Sequence, residues 1–374
     1  MNTSKLIAAI FSQSTAPFRE GYVLCKISEI LTANQIPYFK DSVGNIIAGV
    51  KTPKELKHKK IGFLAHTDHP GFHITRRLSQ RDYEAVWYGG APFDKMKGAK
   101  LRIYDPVNPQ LSYQAKVLSF PKVDYTRAGM EFTLRLNLIP AKGQRLDSNY
   151  FGAFDFLGYK MKKTLIETRV ADDLAGVVII LGMLIDIKKK SGELPIGIFT
   201  RAEEVGYIGC WALLSSGILP KSLQVVSLEA SRTLPGAEIG KGPVLRLGDA
   251  STLFDSELSI ELWNVAKDLA KIKKSFSFQR RIMDGGSCEA TALDLFNYKA
   301  TGIAVPLGNY HNQGPSGPAP EIVDIHDVEK ARTVCTHFAI HMISGKKLKK
   351  AERKSRLHKN YVTLKKLLMT GKKS

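Results

Sequence analysis

The sequence predicts a mixed α/β fold, a sheet flanked by helices, interrupted by an inserted all-β domain. Three observations carry this. Short apolar runs of strand length recur, Lys60–His66 (KIGFLAH), Ile196–Thr200, Gln224–Glu229 and Ile303–Pro306, and near-continuous apolar runs suit strands covered on both faces. Between the later runs lie stretches of helical spacing. From about His73 to Lys163 that spacing is missing, and β-prone stretches such as YEAVWYG, KLRIYD, SYQAKVLSF and EFTLRLNLI recur between Gly, Pro, Asn and Asp, the pattern of a small barrel or sandwich.

Taken in order, residues 2–33 read as one or two amphipathic helices. Their short apolar run, Leu6 to Phe11, fits a first helix of the fold better than a signal peptide. Tyr38–Lys40 and Gly44–Gly49 form a hairpin that turns through Asp41–Gly44. After the β-rich block, helices are expected at Asp173–Lys188, Gly206–Ser216, Asp255–Lys271, Glu289–Asn297 and Val328–Ile343. The expected division is 1–73 and 164–344 for the α/β domain, 74–163 for the inserted barrel, and 345–374 for a basic tail. No internal repeat is visible.

At 374 residues, with 44% hydrophobic and 24% charged residues, the chain can bury a large core. No apolar run approaches the roughly 18–20 residues of a membrane span. The four cysteines, Cys25, Cys210, Cys288 and Cys335, form no CxxC pair. That argues against a disulfide framework and a cysteine–zinc site, and for a reduced, cytoplasmic protein. From Gly345 to Ser374 there are twelve Lys or Arg against one Glu, more than half of the net +20. Such a block reads as a solvated tail with weak affinity for polyanions; no helix-turn-helix, zinc-finger or RNP pattern raises a nucleic-acid reading.

Five segments place ligand-type residues at strand ends, where open α/β sheets build their sites. His66 leaves a buried strand with Asp68 two residues on, an arrangement that can orient a ligating imidazole or be an accident of sequence. Asp172-Asp173 precede an apolar helix, where Asp173 can be only an N-cap. Glu203-Glu204 follow a strand and point in different directions, or are simply solvated. Glu229 ends a buried strand, a costly place for an unpaired charge. His311 lies in the Gly/Asn-rich loop GNYHN. Two ions about 3.5–4 Å apart need a bridging carboxylate, terminal His and carboxylate ligands, and a base for water; each of these is present.

On these motifs the chain resembles the co-catalytic metallo-aminopeptidases of the tetrahedral, deblocking and glutamyl aminopeptidase type, within the zinc exopeptidases. The resemblance spans nearly all of the chain to about residue 343, including the β-rich insertion. It implies that His66 binds one metal, Asp172 bridges both, Glu204 and Glu229 are terminal carboxylates and His311 closes the second site. Glu203 is then the general base and Asp68 orients His66. The loop Asp284–Glu289, with Gly285 and Gly286, resembles the family's Gly-rich segment near the substrate, or is a turn capping the next helix. Glu229 stands where the family usually has Asp, and Leu174 where it has Arg. The sequences after His66 and around His311 also differ from the commonest forms, which bears on metal choice and substrate preference rather than on reaction class.

The implied reaction is hydrolysis of an N-terminal peptide bond. Two divalent ions, zinc foremost with cobalt or manganese tolerated, acidify a water. Glu203 takes the water's proton and passes it to the departing amine. A peptide substrate and a homo-oligomer are expected, with no membrane partner. A deacylase or carboxypeptidase on the same metal set, or a basic nucleic-acid-binding protein, are the alternatives.

Overall fold

A computed structural model describes residues 1–119, 123–124, 131–138, 146–190, 193–345 and 350–370. Helices α1 (Thr3–Phe11) and α2 (Gly21–Ala33) lead into the hairpin β1 (Tyr38–Lys40) and β2 (Ile46–Ala48), and then β3 (Ile61–His66). The β-rich block follows as β4 (Gly71–Arg77), β5 (Asp82–Tyr88), β6 (Lys100–Tyr104), β7 (Ser112–Ser119), β8 (Val123–Asp124), β9 (Glu131–Leu138) and β10 (Phe151–Phe154). Phe120 and Ile139, expected at the ends of two of these strands, lie outside the described residues. Next come β11 (Lys160–Lys162), β12 (Leu165–Thr168), α3 (Leu174–Lys190), β13 (Ile196–Thr200), α4 (Ile208–Ser215), β14 (Gln224–Arg232) and β15 (Val244–Arg246). The chain closes with α5 (Ser256–Ile272), β16 (Gln279–Arg281), α6 (Glu289–Leu295), β17 (Ala300–Leu307), β18 (Gln313–Gly314), β19 (Gly317–Pro318), β20 (Glu321–Asp324), α7 (Ile325–Ser344) and α8 (Lys350–Thr370).

The main sheet has eight strands in the order β1-β2-β13-β3-β14-β17-β15-β16. Its middle four, β13, β3, β14 and β17, run parallel, so their carboxyl ends share one edge. Every residue of β3, β13 and β17 is buried, which is why they read as unbroken apolar runs rather than alternating ones. Helix α3 is apolar almost all round because it is covered on all sides, by α1, α7 and the sheet. Each fully buried Val, Leu or Ile contributes about 1.5–3 kcal/mol of transfer free energy, so a polar residue on any face of α3 is costly.

The second sheet follows the order β5-β4-β10-β6-β7-β9-β8, and β5 also pairs with β9, closing a barrel. Along β5 burial alternates, with Tyr83, Ala85 and Trp87 inward, the period of a strand with one wet face. Trp87 packs against Phe154 at 4.9 Å and Phe72 at 6.0 Å between ring centroids. The barrel strands run from Gly71 to Phe154, whereas β11 and β12 pair with β20 in a separate three-stranded sheet.

Asp324 caps α7, so this helix begins three residues earlier than the expected Val328, and Gly345 ends it in the left-handed region at φ 68°. The expected solvated tail contains a helix, α8, whose Leu357, Tyr361, Leu364 and Leu368 are exposed; residues 346–349 and 371–374 lie outside the described residues. Among the described residues no helix is long and apolar enough to cross a membrane.

Candidate metal centre

The carboxyl edge of the parallel strands gathers His66, Asp172, Glu203, Glu204, Glu229 and His311 into one buried cluster. His66 is the last residue of β3 and Glu229 lies toward the end of β14. Glu203 and Glu204 follow β13, and His311 follows β17. The two adjacent aspartates separate into two roles. Asp173 turns its Oδ1 to the Gly176 amide at 3.0 Å and caps α3. Asp172 faces the cluster: its Oδ1 is 3.6 Å from His66 Nε2 and its Oδ2 is 3.4 Å from His311 Nε2.

Two triads share that carboxylate, His66–Asp172–Glu229 and Asp172–Glu204–His311, the ligand atoms in each lying within 4.8 Å of one another. Glu204 Oε2 is 3.1 Å from His311 Nε2. One buried oxygen each of Asp172, Glu204 and Glu229 has no hydrogen-bond partner. Unpartnered buried carboxylate oxygens are expensive, and a His/carboxylate set that leaves them free fits divalent cations. The residues present therefore fit the two ions expected.

Without cations, protons hold this charge together. Burial works against a charged His311, yet the Glu204 and Asp172 carboxylates push it up to about 10. His66 is also raised, its burial overcome by Glu203, Asp172 and Asp68. Burial, with Asp172 adding to it, lifts Glu229 to about 8. Burial also raises Glu203, reinforced by Glu229 and Glu204. Asp172 is held far below the usual carboxylate range despite its burial, by contacts to both histidines.

Asp68 reaches the His66 imidazole and also holds the Glu-Glu loop. Its carboxylate accepts the Glu203 and Glu204 amides at 2.9 and 3.1 Å. His66 Nδ1 is closer to the Asp68 backbone carbonyl, 3.2 Å, than to its carboxylate, 3.6 Å. Asp68 thus fixes the Glu-Glu loop first and the imidazole second. Glu20 anchors the same loop from α2, accepting the Ala202 amide at 3.0 Å and pairing with Arg201 at 2.8 Å.

Several residues of the site carried no legible signal. His69 lies under Asp172, with Nδ1 2.7 Å from its carbonyl oxygen. Glu289, wholly buried at the start of α6, is lifted by burial to about 7. Glu321, also wholly buried, accepts backbone amides of two ligand loops. Arg246 is 3% exposed, its guanidinium 5.6 Å above the Phe254 ring, and its Nε and Nη1 have no partner. Arg246 and Arg232 line a pocket beside Glu229 together with Gly285, Gly286 and Tyr310. The pocket shares Glu229 with the first triad.

A mixed α/β sheet bearing a bridged His/carboxylate cluster at its carboxyl edge, with a β-barrel inserted after the first histidine strand, defines a metal-dependent exopeptidase architecture. Residues 150–334 match the model of the M42 glutamyl aminopeptidase family. Its fold is similar to that of a TET aminopeptidase from the marine sediment archaeon Thaumarchaeota archaeon SCGC AB-539-E09 (TM-score 0.73, 16% identity, 92% of this chain and 98% of that one). It is likewise similar to an aminopeptidase from the archaeon Desulfurococcus kamchatkensis (TM-score 0.72, 18% identity, 92% and 98%). The Pyrococcus horikoshii TET1 peptidase, described as assembling into a tetrahedron or a large octahedral shell, matches with TM-score 0.69 and 19% identity over 90% and 99%. No curated protein matches in sequence.

Proposed function

We propose that this metal-dependent aminopeptidase removes the N-terminal residue of peptides with two divalent cations, zinc being best suited to the donors. His66, Asp172 and Glu229 would hold one, and Asp172, Glu204 and His311 the other. The observation that carries this is the Asp172 carboxylate, one oxygen turned to each histidine at 3.6 and 3.4 Å. Bound cations supply polarisation of the scissile carbonyl and acidification of water. The chain's own residues do the rest. Glu203, buried and with a raised proton affinity, takes the proton of the attacking water and returns it to the departing amine. Asp68 and Glu20 keep Glu203 in place through the loop backbone.

The unpartnered donors of buried Arg246, in a pocket shared with Arg232, support a preference for a first residue that carries a carboxylate. The description of the family as glutamyl aminopeptidases agrees. The β-barrel contributes no proposed ligand, and we assign it to assembly and access, a homo-oligomer being supported by the tetrahedral and shell assemblies described for a similar structure. The four unbridged cysteines support a reducing compartment, the cytoplasm. The deciding experiment is a panel of free and N-blocked peptides, with zinc and after chelation. Metal-dependent release of the first residue only from free amino termini supports the reading. Preferential cleavage of N-acylated substrates would assign a deacylase instead.

A further inference from the structure

Glu321 opens β20, opposite Thr168 of β12, and is wholly buried. Its Oε2 accepts the amides of Ala171 and Asp172 at 2.6 and 3.2 Å, and its Oε1 accepts the amide of His311 at 2.9 Å. One carboxylate therefore ties the turn that presents the bridging aspartate to the turn that presents the second histidine. Neither turn rests on it alone: Asn312, next to His311, meets His69 Nε2 at 3.2 Å and donates to the Arg169 carbonyl at 3.1 Å. Asp172 is also held by His69 through its carbonyl, at 2.7 Å, and its neighbour Asp173 is fixed at the start of α3. His311 sits in the left-handed region at φ 53°, between Asn309 and Asn312, which are also left-handed, a conformation that persists only where surroundings over-determine it.

We propose that Glu321 is a positioning residue that sets the separation of Asp172 and His311, and through it the affinity of the Asp172–Glu204–His311 site. This rests on the reading of the cluster as a two-cation centre. Removing an outer partner of a metal ligand typically costs about 10- to 100-fold in affinity. Glutamine keeps one acceptor oxygen but turns an amide NH₂ toward either the Ala171 and Asp172 amides or the His311 amide, donor against donor. Aspartate keeps both acceptors at shorter reach.

The test uses the full chain, stripped of metal, titrated with zinc by calorimetry and with cobalt by its visible absorption. Wild type should take up two equivalents. Glu321→Gln should bind the first with wild-type affinity and the second about 10- to 100-fold more weakly, with kcat lowered and KM little changed. Glu321→Asp should recover part of the second affinity, and it carries the same test if the glutamine variant does not fold. Two equivalents bound with wild-type affinity would overturn the proposal, as would an equal loss at both sites. Wild-type protein that binds no divalent cation would overturn the two-cation reading itself, and this proposal with it.

Discussion

A Cβ added to Gly90 would lie 2.2 Å from Nδ1 of His311. Gly90 follows β5 at the rim of the barrel, and its lack of a side chain leaves room for the His311 ring. Gly90→Ala should displace the His311 ring, weaken the second cation about tenfold or more and lower turnover to match. Metal content and steady-state rates check it. A variant that keeps both ions and full turnover would show that the ring has room to move.

Glu203→Gln should leave cation binding nearly intact and lower turnover at least about a hundredfold, the usual scale for a general base. Glu204 already supplies the terminal oxygen of the second triad, so the scheme needs only one of the pair as ligand. Near-normal turnover with unchanged metal content would remove Glu203 from the mechanism.

The metal-free chain should become less stable between pH 6.5 and 8. Glu229 and Glu289 rise from 4.5 to about 8 and about 7 on folding. Groups raised in this way stabilise the fold fully below their unfolded values and lose that contribution as pH climbs through the folded ones. His311, raised from 6.5 to about 10, changes stability in the same direction. His69 and His73, lowered from 6.5 to about 4 by burial, act oppositely, but only below pH 6.5. Thermal melts in chelator at half-unit intervals should show a falling midpoint that divalent cation flattens, with protons released on binding. A midpoint that rises over this window without metal would contradict the charge balance of the cluster.

Arg246→Leu should reduce hydrolysis of N-terminal Glu and Asp substrates at least about tenfold relative to N-terminal Leu substrates, as loss of a charge-assisted hydrogen bond implies. Competition between paired peptides reads this out directly. An unchanged ratio would mean that Arg246 serves Glu229 rather than the substrate.

Deleting residues 346–374 should leave metal-dependent hydrolysis intact and move the thermal midpoint by no more than a few degrees, since the proposed ligands lie before them. Retention on heparin or nucleic acid should weaken, because the segment holds twelve Lys or Arg. Insoluble truncated protein would show that α8 packs on the α/β domain.

The strands bearing the cluster were legible because burial on both faces makes them apolar runs, and a polar residue ending such a run stands out. His66, Glu203, Glu204, Glu229 and His311 stood out that way. The division of labour within Asp172-Asp173 came from the family resemblance, since by local pattern either residue can cap a helix. Glu321 was invisible for a related reason: in PEIVD it reads as an ordinary strand residue, and its partners are amides some 10 and 150 positions away. Arg246 was hidden in GPVLRLGD because nothing local marks an arginine as buried. Asp68 was seen, but its partners across the sheet edge, the Glu203 and Glu204 amides, come from a segment 135 residues later.

The proposed ligands are strung along the chain in an order that has a consequence for biosynthesis. His66, Asp172 and Glu229 are all made before His311, and Glu321 follows last. At about 5–20 residues per second, several seconds separate completion of the first triad on the ribosome from completion of the second. On the proposed assignment, nascent chains would meet cellular cations as one-ion sites first, and two-ion occupancy would mark a chain whose β20 has docked.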